Sequence, residues 1–144
     1  MFMQSIEETL GFQIIQVSKA HRQSAEKMLN ALGLHAGQEM ILLQLWMKEG
    51  LTQSYLAEHV NVEPPTMTQM LQRMERCGLI ERCQDAHDGR ISRVYLTDRG
   101  RALEKPVLQA WQQLEEQTLV GLSDVEQALL RRLLTQIRTN LSSR

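Results

Sequence analysis

Leu51 to Cys77, LTQSYLAEHVNVEPPTMTQMLQRMERC, constrains this chain more than any other stretch. Its punctuation calls for two short helices joined by a tight turn. Thr52 has the hydroxyl of an N-cap, which accepts an orphan N–H of the first helical turn. Leu56, Ala57 and Val60 follow at three- and four-residue steps and share one face. Asn61 tolerates the left-handed backbone that ends a helix. Val62 is an apolar plug after the turn. Pro64 and Pro65 then open a second helix, where the missing N–H of proline has no partner to lose. Its apolar face is Met67, Met70, Leu71 and Met74, and its other face carries Thr66, Thr68, Gln69, Gln72, Arg73 and Arg76. A small Ala where the helices cross, and an outer face rich in hydrogen-bonding side chains, make a helix-turn-helix suited to base edges in a major groove. The same pattern also describes a plain three-helix packing unit with a solvated polar face.

The residues that follow favour the first reading. Gly78 is placed to end the second helix. Leu79 to Gln84 (LIERCQ) reads as a strand, Asp85 to Arg90 (DAHDGR) as a polar turn, and Ile91 to Leu96 (ISRVYL) as the return strand. A helix-turn-helix followed directly by a hairpin is a winged helix, with Arg90 at the wing tip or just past it.

Both ends of the chain read as long helices with more apolar surface than one small core needs. Ser5 to about Leu32 carries Ile6, Leu10, Ile14, Val17, Ala25, Met28 and Leu29, with Gly11 a mild interruption. A second helix, Leu34 to Gly50, holds Met40, Ile41, Leu43, Leu45 and Trp46 in a run dense enough to be buried on most sides. After the hairpin, Thr97 caps a helix running to about Leu119. Pro106 calls for a kink or a break near Ala102 to Lys105. Ser123 and Glu126 form a capping box for the last helix. There Val125, Leu129, Leu133, Ile137 and Leu141 recur every four residues, beside Leu130 and Leu134. The simplest use of the surplus is a homodimer in which the terminal helices of two chains interlock; one larger monomeric core is the alternative.

The fold class is therefore mainly α: a winged helix-turn-helix of three core helices plus a two-stranded β wing, with long N- and C-terminal dimerisation helices. Residues 1–33 form the N-terminal dimerisation helix, 34–100 the DNA-binding domain, and 101–144 the C-terminal dimerisation helices. At 144 residues with 42% hydrophobic content, the chain suits one compact unit. Glu7 and Glu8 stand where a signal peptide needs positive charge, and no long apolar run spans a membrane, so the expected location is the cytoplasm. The net charge of −1 argues against bulk attraction to nucleic acid. From Glu63 to Arg101 seven Arg face six Asp and Glu, a net of +1. Basic residues in such a chain must act by placement, and in two copies.

In this arrangement the chain resembles the MarR family of transcriptional regulators over essentially its whole length. The residues that carry the resemblance are Leu51-Thr52-Gln53 with Leu56-Ala57, Pro65-Thr66-Met67-Thr68, Leu71-Gln72-Arg73-Met74-Glu75 and Gly78-Leu79-Ile80-Glu81-Arg82. Asp88-Gly89-Arg90 and Leu96-Thr97-Asp98-Arg99-Gly100 complete them. The resemblance implies a dimer that binds a pseudo-palindromic operator in double-stranded DNA, usually as a repressor. It implies release by a small, commonly aromatic ligand held between the dimer helices and the DNA-binding lobe. Some relatives sense oxidants through cysteine or bind zinc instead.

The expected DNA-binding residues are Pro65, Thr66, Thr68, Gln69, Gln72, Arg73, Arg76, Asp88 and Arg90. Thr68 and Gln69 are placed for base edges; Gln pairs bidentately with adenine. Many relatives carry Arg at the position of Gln69, so their guanine preference does not transfer. Thr66 and Gln72 suit bases or phosphates, and Arg73 and Arg76, farther along, suit phosphates. Arg90 is the minor-groove candidate, with Asp88 holding its guanidinium in an ion pair; Arg93 and His87 are weaker candidates. For each, a solvated surface residue is the plain alternative.

Cys77 and Cys83 make neither a disulfide framework nor a zinc set, and Cys77 lies at the helix end that does not activate a thiol. A cysteine-based redox-responsive regulator of the same fold is thus a secondary reading. So is a winged-helix module that binds only protein. His21, His35, His59 and His87 are too scattered for a helical metal site, so no metal or other cofactor is expected. Trp46, Trp111 and Met40 are as well explained by core packing as by a ligand pocket, and no ligand residues are assigned. With no nucleophile–base pair, phosphate loop or metal cluster, the chain does not read as an enzyme.

Overall fold

Thr9 is where the first helix begins. In the computed structural model, which describes residues 5–142, its hydroxyl accepts the Phe12 N–H and donates to the Ile6 carbonyl. The segment expected to be one helix from Ser5 is therefore a 3₁₀ turn, Ile6–Glu8, followed by α1, Leu10–Ala31. The next helix also starts later than its apolar run implied. Leu34 N–H bonds back to Leu29 O, Gly37 adopts a left-handed φ of 97°, and α2 spans Gln38–Met47 rather than Leu34 to Gly50. Its first turn is capped from within: Gln38 Oε1 accepts His35 N–H and Glu39 Oε2 accepts Gly37 N–H. Ile41, Leu42 and Leu45 are buried, whereas Met40, expected in the packing, is 41% exposed.

The helix-turn-helix forms as its punctuation required. Thr52 accepts the Tyr55 N–H at the start of α3, Gln53–Val60, and Asn61 ends it at φ 58°. Pro64 begins α4, Pro64–Arg76. Leu56, Ala57, Met67, Leu71 and Met74 are buried at the crossing; each large one contributes about 1.5–3 kcal/mol relative to exposure. The hairpin is β2, Ile80–Gln84, against β3, Ser92–Leu96, with Ile80 opposite Leu96 and Gln84 opposite Ser92. A third strand, β1, Leu51–Thr52, pairs with the other edge of β3, Leu51 opposite Val94. The sheet is thus three-stranded, order β1-β3-β2, where the sequence pointed to a two-stranded wing. Two residues are too short for an alternation signal, and only the partner strand makes them a strand.

The residues after β3 lock this sheet to the helices. α5, Asp98–Ala102, is capped by Thr97, whose hydroxyl also donates to Gly78 O at 2.5 Å. Arg99 Nη1 donates to Cys77 O, and Trp46 Nε1 donates to Gly100 O. The break anticipated from Pro106 falls at Leu103: α6, Glu104–Thr118, carries Pro106 in its first turn, where its missing N–H is tolerated. Gly121 has φ 85°, and Ser123 and Glu126 exchange capping hydrogen bonds at the start of α7, Asp124–Ser142.

The chain divides into two compact units, Met1–Trp111 and Gln112–Arg144. The first contains the core from Leu29 to Val107 and the whole sheet. The second contains α7, which holds no buried residue. No helix among the described residues is long and apolar enough to cross a membrane.

Gly100 has no room for a side chain, because a Cβ there would overlap the Leu79 carbonyl oxygen. That atom is backbone and cannot rotate away. Gly100→Ala should therefore cost roughly 3 kcal/mol and lower Tm by about 10 °C in thermal unfolding followed by circular dichroism.

Candidate nucleic-acid interface

The outer face of α4 presents Thr66, Gln69, Gln72, Arg73 and Arg76 to solvent, with Pro65 exposed beside Pro64 in the first turn. Its first turn holds no acid and its last turn holds Arg73 and Arg76. Cations there complement the negative end of the helix dipole. Thr68 is placed differently from its neighbours. It is half-buried, its hydroxyl donates to Pro64 O at 3.1 Å, and it accepts from Gln53 Nε2 at 2.6 Å. The helical period assigns Thr68 to the outer face, but Gln53 on α3 draws it back.

The hairpin tip is built by two aspartates. Asp85 N–H bonds to Ile91 O, and Ile91 N–H bonds to Asp88 O. The Asp85 carboxylate accepts the His87 and Asp88 N–H groups and pairs with Arg93 Nε at 2.5 Å. Arg93 in turn donates to Gly50 O at 2.8 Å, which fastens the foot of the wing to the turn before β1. Arg93, a weaker candidate from sequence, is thus committed to internal partners. His87 is exposed. The Asp88 carboxylate accepts three N–H groups of Arg90: the backbone N–H, Nε at 3.2 Å and Nη2 at 3.4 Å. This is the pairing expected from their spacing. The Arg90 side chain remains 92% exposed, held at its base and open to solvent.

A third tie joins wing and helix. Glu75 on α4 accepts the backbone N–H, Nε and Nη2 of Arg82 on β2. The Arg82 guanidinium holds the Glu75 carboxyl below its ordinary range. The polar face of α4 and the guanidinium of Arg90 are therefore carried on one braced frame. Gln53, Glu75, Arg82 and Arg99 supply that frame, and none was singled out from the sequence as a site residue. Apart from the family pattern, the only signal for Gln53, Glu75 and Arg99 was a polar side chain near a cap or helix end, and Arg82 within its strand carried none.

A separate cavity of about 500 Å³ lies among Ser18, His21, Arg22 and Glu26 of α1, Glu39 of α2 and Trp111 of α6. His21 and Trp111 meet edge to face with ring centroids 6.0 Å apart. Glu39 is 8% exposed, and burial raises its pKa against the lowering effect of its own and the Gly37 N–H groups. Of the three residues weighed for a pocket, Trp111 lines this cavity, Trp46 is committed to Gly100, and Met40 is exposed. The sequence signal for Glu39 was an acid directly before the apolar run that opens at Met40. Cys77 and Cys83 are free and exposed. Among the described residues no cluster of three His, Cys, Asp or Glu is arranged to hold a metal ion.

The comparisons with known proteins agree on one family. A family model described as MarR family matches residues 34–92. The chain is 31% identical over 136 residues to an uncharacterized HTH-type transcriptional regulator of Bacillus cereus, covering 92% of this chain and 89% of that one. It is also 31% identical over 101 residues to the HTH-type transcriptional regulator TtmR of Methylorubrum extorquens, over 70% of this chain; the chain spans about half, 52%, of that relative. Among solved structures, the MepR–DNA complex of S. aureus matches with a TM-score of 0.84 at 26% identity, covering 92% of this chain and 98% of that one.

The Asp85 tether has a definite pH dependence. Arg93 first, then the His87 N–H, holds the Asp85 carboxyl below its ordinary value. A depressed folded-state pKa stabilises above the unfolded value, near 3.9, and that stabilisation disappears as pH falls through the lower folded value. Amide exchange at His87 and Asp88 should therefore stay slow down to about pH 4 and quicken below it, relative to the intrinsic rate. In Asp85→Ala, which removes the acceptor, it should be fast throughout.

Proposed function

Since the chain belongs to the MarR family of HTH-type transcriptional regulators, we propose that it acts as a homodimeric repressor on a pseudo-palindromic operator and is released by a small molecule. The family consists of DNA-binding regulators, not enzymes. The observation that carries the reading is the pair of anchors on one frame: the polar face of α4 and Arg90 on a wing tied to both α4 and β1. In this reading Gln69 contacts a base, Thr66 and Gln72 contact bases or phosphates, and Pro65 sets the start of the helix. Arg73 and Arg76 neutralise phosphates, and Arg90 enters the minor groove with Asp88 fixing its direction.

The dimer is supported by apolar surface that the single chain leaves open. Ile6, Leu10, Ile14 and Val17 are exposed near the start, and Val125, Leu129, Leu133 and Leu141 on α7. Such rows on a chain of near-zero net charge call for a self-complementary cover, which a second copy supplies. Residues 34–100 then carry the operator contacts, with 1–33 and 101–144 carrying the dimer contacts. The effector is supported by the cavity beside His21, Glu39 and Trp111, which has the size of a small-molecule site and an aromatic wall. The MepR neighbour was solved bound to DNA, which supports the docking.

The test is selection of bound duplex from a random pool. Two half-sites about one helical turn apart are expected, and no preference over bulk DNA overturns the reading. On the selected duplex, Arg90→Ala should weaken binding by about tenfold to a hundredfold, roughly 1–3 kcal/mol, with native mass and melting. Gln69→Ala should instead relax preference at one base pair per half-site. A uniform loss across sequences would move Gln69 to the phosphate contacts.

A further inference from the structure

The hydrogen bond between Gln53 and Thr68 joins the two helices of the motif at their N-terminal turns. Gln53 is the first residue of α3, directly after the Thr52 cap, and Thr68 is the fifth residue of α4. Gln53 Nε2 lies 2.6 Å from Thr68 Oγ1, short for a neutral pair. A threonine hydroxyl has one proton and two lone pairs. Here the proton goes to Pro64 O, the first carbonyl of α4, and one lone pair receives Gln53. The hydroxyl therefore has no donor left for a base, and its remaining capacity is a single acceptor lone pair. Threonine is also stiff at χ1, so this pair of bonds fixes the side chain and the turn that carries it.

Gln53 stands at a second junction as well. It lines a cleft of about 260 Å³ together with Pro64 at the start of α4 and Arg90, Ile91 and Ser92 at the foot of the wing. One amide thus adjoins both elements that carry the proposed operator contacts.

We infer that Gln53 is a positioning residue for operator recognition: it sets the first turn of α4 against α3 through the Thr68 hydroxyl, and Thr68 acts as the receiving half of that brace and not as a base-reading donor. The inference rests on the proposed docking of α4 in the operator. It assigns base reading in this part of the helix to Gln69 and the exposed side chains around it. A brace acts on the geometry of specific contacts, so its loss affects the operator and spares non-specific binding, which depends on phosphate neutralisation.

The experiment compares gel shifts on the duplex selected by the native chain with shifts on a scrambled duplex at the same salt. The variants are Gln53→Ala, Thr68→Val, Thr68→Ser and the double variant Gln53→Ala/Thr68→Val. Each of the first two should lose about tenfold in operator affinity, equivalent to roughly 1.4 kcal/mol, with scrambled-duplex affinity unchanged. Thr68→Ser keeps the hydroxyl and should restore near-native binding. The double variant should be no weaker than either single, because both remove the same bond. Losses that multiply to about a hundredfold in the double variant overturn the inference, since Gln53 would then make its own contact with DNA. An equal loss on the scrambled duplex overturns it too, as does native affinity in Gln53→Ala. If Gln53→Ala does not fold, the Thr68→Val and Thr68→Ser pair decides: indistinguishable affinities reject the brace. A native chain with no operator preference rejects the docking itself, an outcome distinct from native preference with unaffected variants.

Discussion

The close approach of Gly100 to the Leu79 backbone is the constraint on which the rest of the winged helix-turn-helix depends. Three segments meet there. Thr97 N–H bonds to Leu79 O, the Thr97 hydroxyl bonds to Gly78 O, Arg99 bonds to Cys77 O, and Trp46 reaches Gly100 O. The carbonyls of Cys77, Gly78 and Leu79, just past the end of α4, are satisfied from the segment that follows the wing. The end of α4 and the end of the hairpin are consequently fixed to each other through a junction too tight for a methyl group. A helix braced at one end by this junction and at the other by Gln53 has little freedom to tilt.

The electrostatics follow the same logic of placement. A chain with net charge −1 cannot hold DNA by long-range attraction. Most arginines around the motif are already committed: Arg82 to Glu75, Arg93 to Asp85, Arg101 to Glu49 and Asp98, Arg99 to Cys77 O. These pairs are partly solvated and individually weak as sources of stability. Their value lies in geometry, because each joins two elements. What they leave facing outward is Arg73, Arg76 and the tip of Arg90. In the proposed dimer, two copies of such a spare set would act through multiplied local contacts.

The Met67, Leu71 and Met74 face was legible because burial of one helical stripe imposes a period that the residues display. The apolar rows of the terminal helices were legible for the same reason, and their exposure in the single chain follows the excess read from the sequence. Helix starts were less legible. Apolar periodicity ran on through Ser5 to Thr9 and Leu34 to Gly37, where a threonine cap and a left-handed glycine actually set the boundaries. Periodicity reports which face is buried; it is silent about where the first hydrogen bond closes.

The sequence by itself determined whatever is settled within about four residues: the Thr52 and Thr97 caps, the left-handed Asn61, the Pro64 helix start, the Ser123–Glu126 box and the Asp88–Arg90 pair. These depend on local backbone preference and on side chains that cannot avoid each other. Tertiary structure decided the interactions between distant segments. Leu51 and Thr52 become a strand only because β3 arrives beside them, and Arg93 finds Gly50 O 43 residues away. Thr68, outward by helical period, is drawn inward by Gln53, 15 residues earlier. The physical reason is that a hydrogen bond between remote segments has no signature in the spacing of either one; it exists only once the core has brought them within reach.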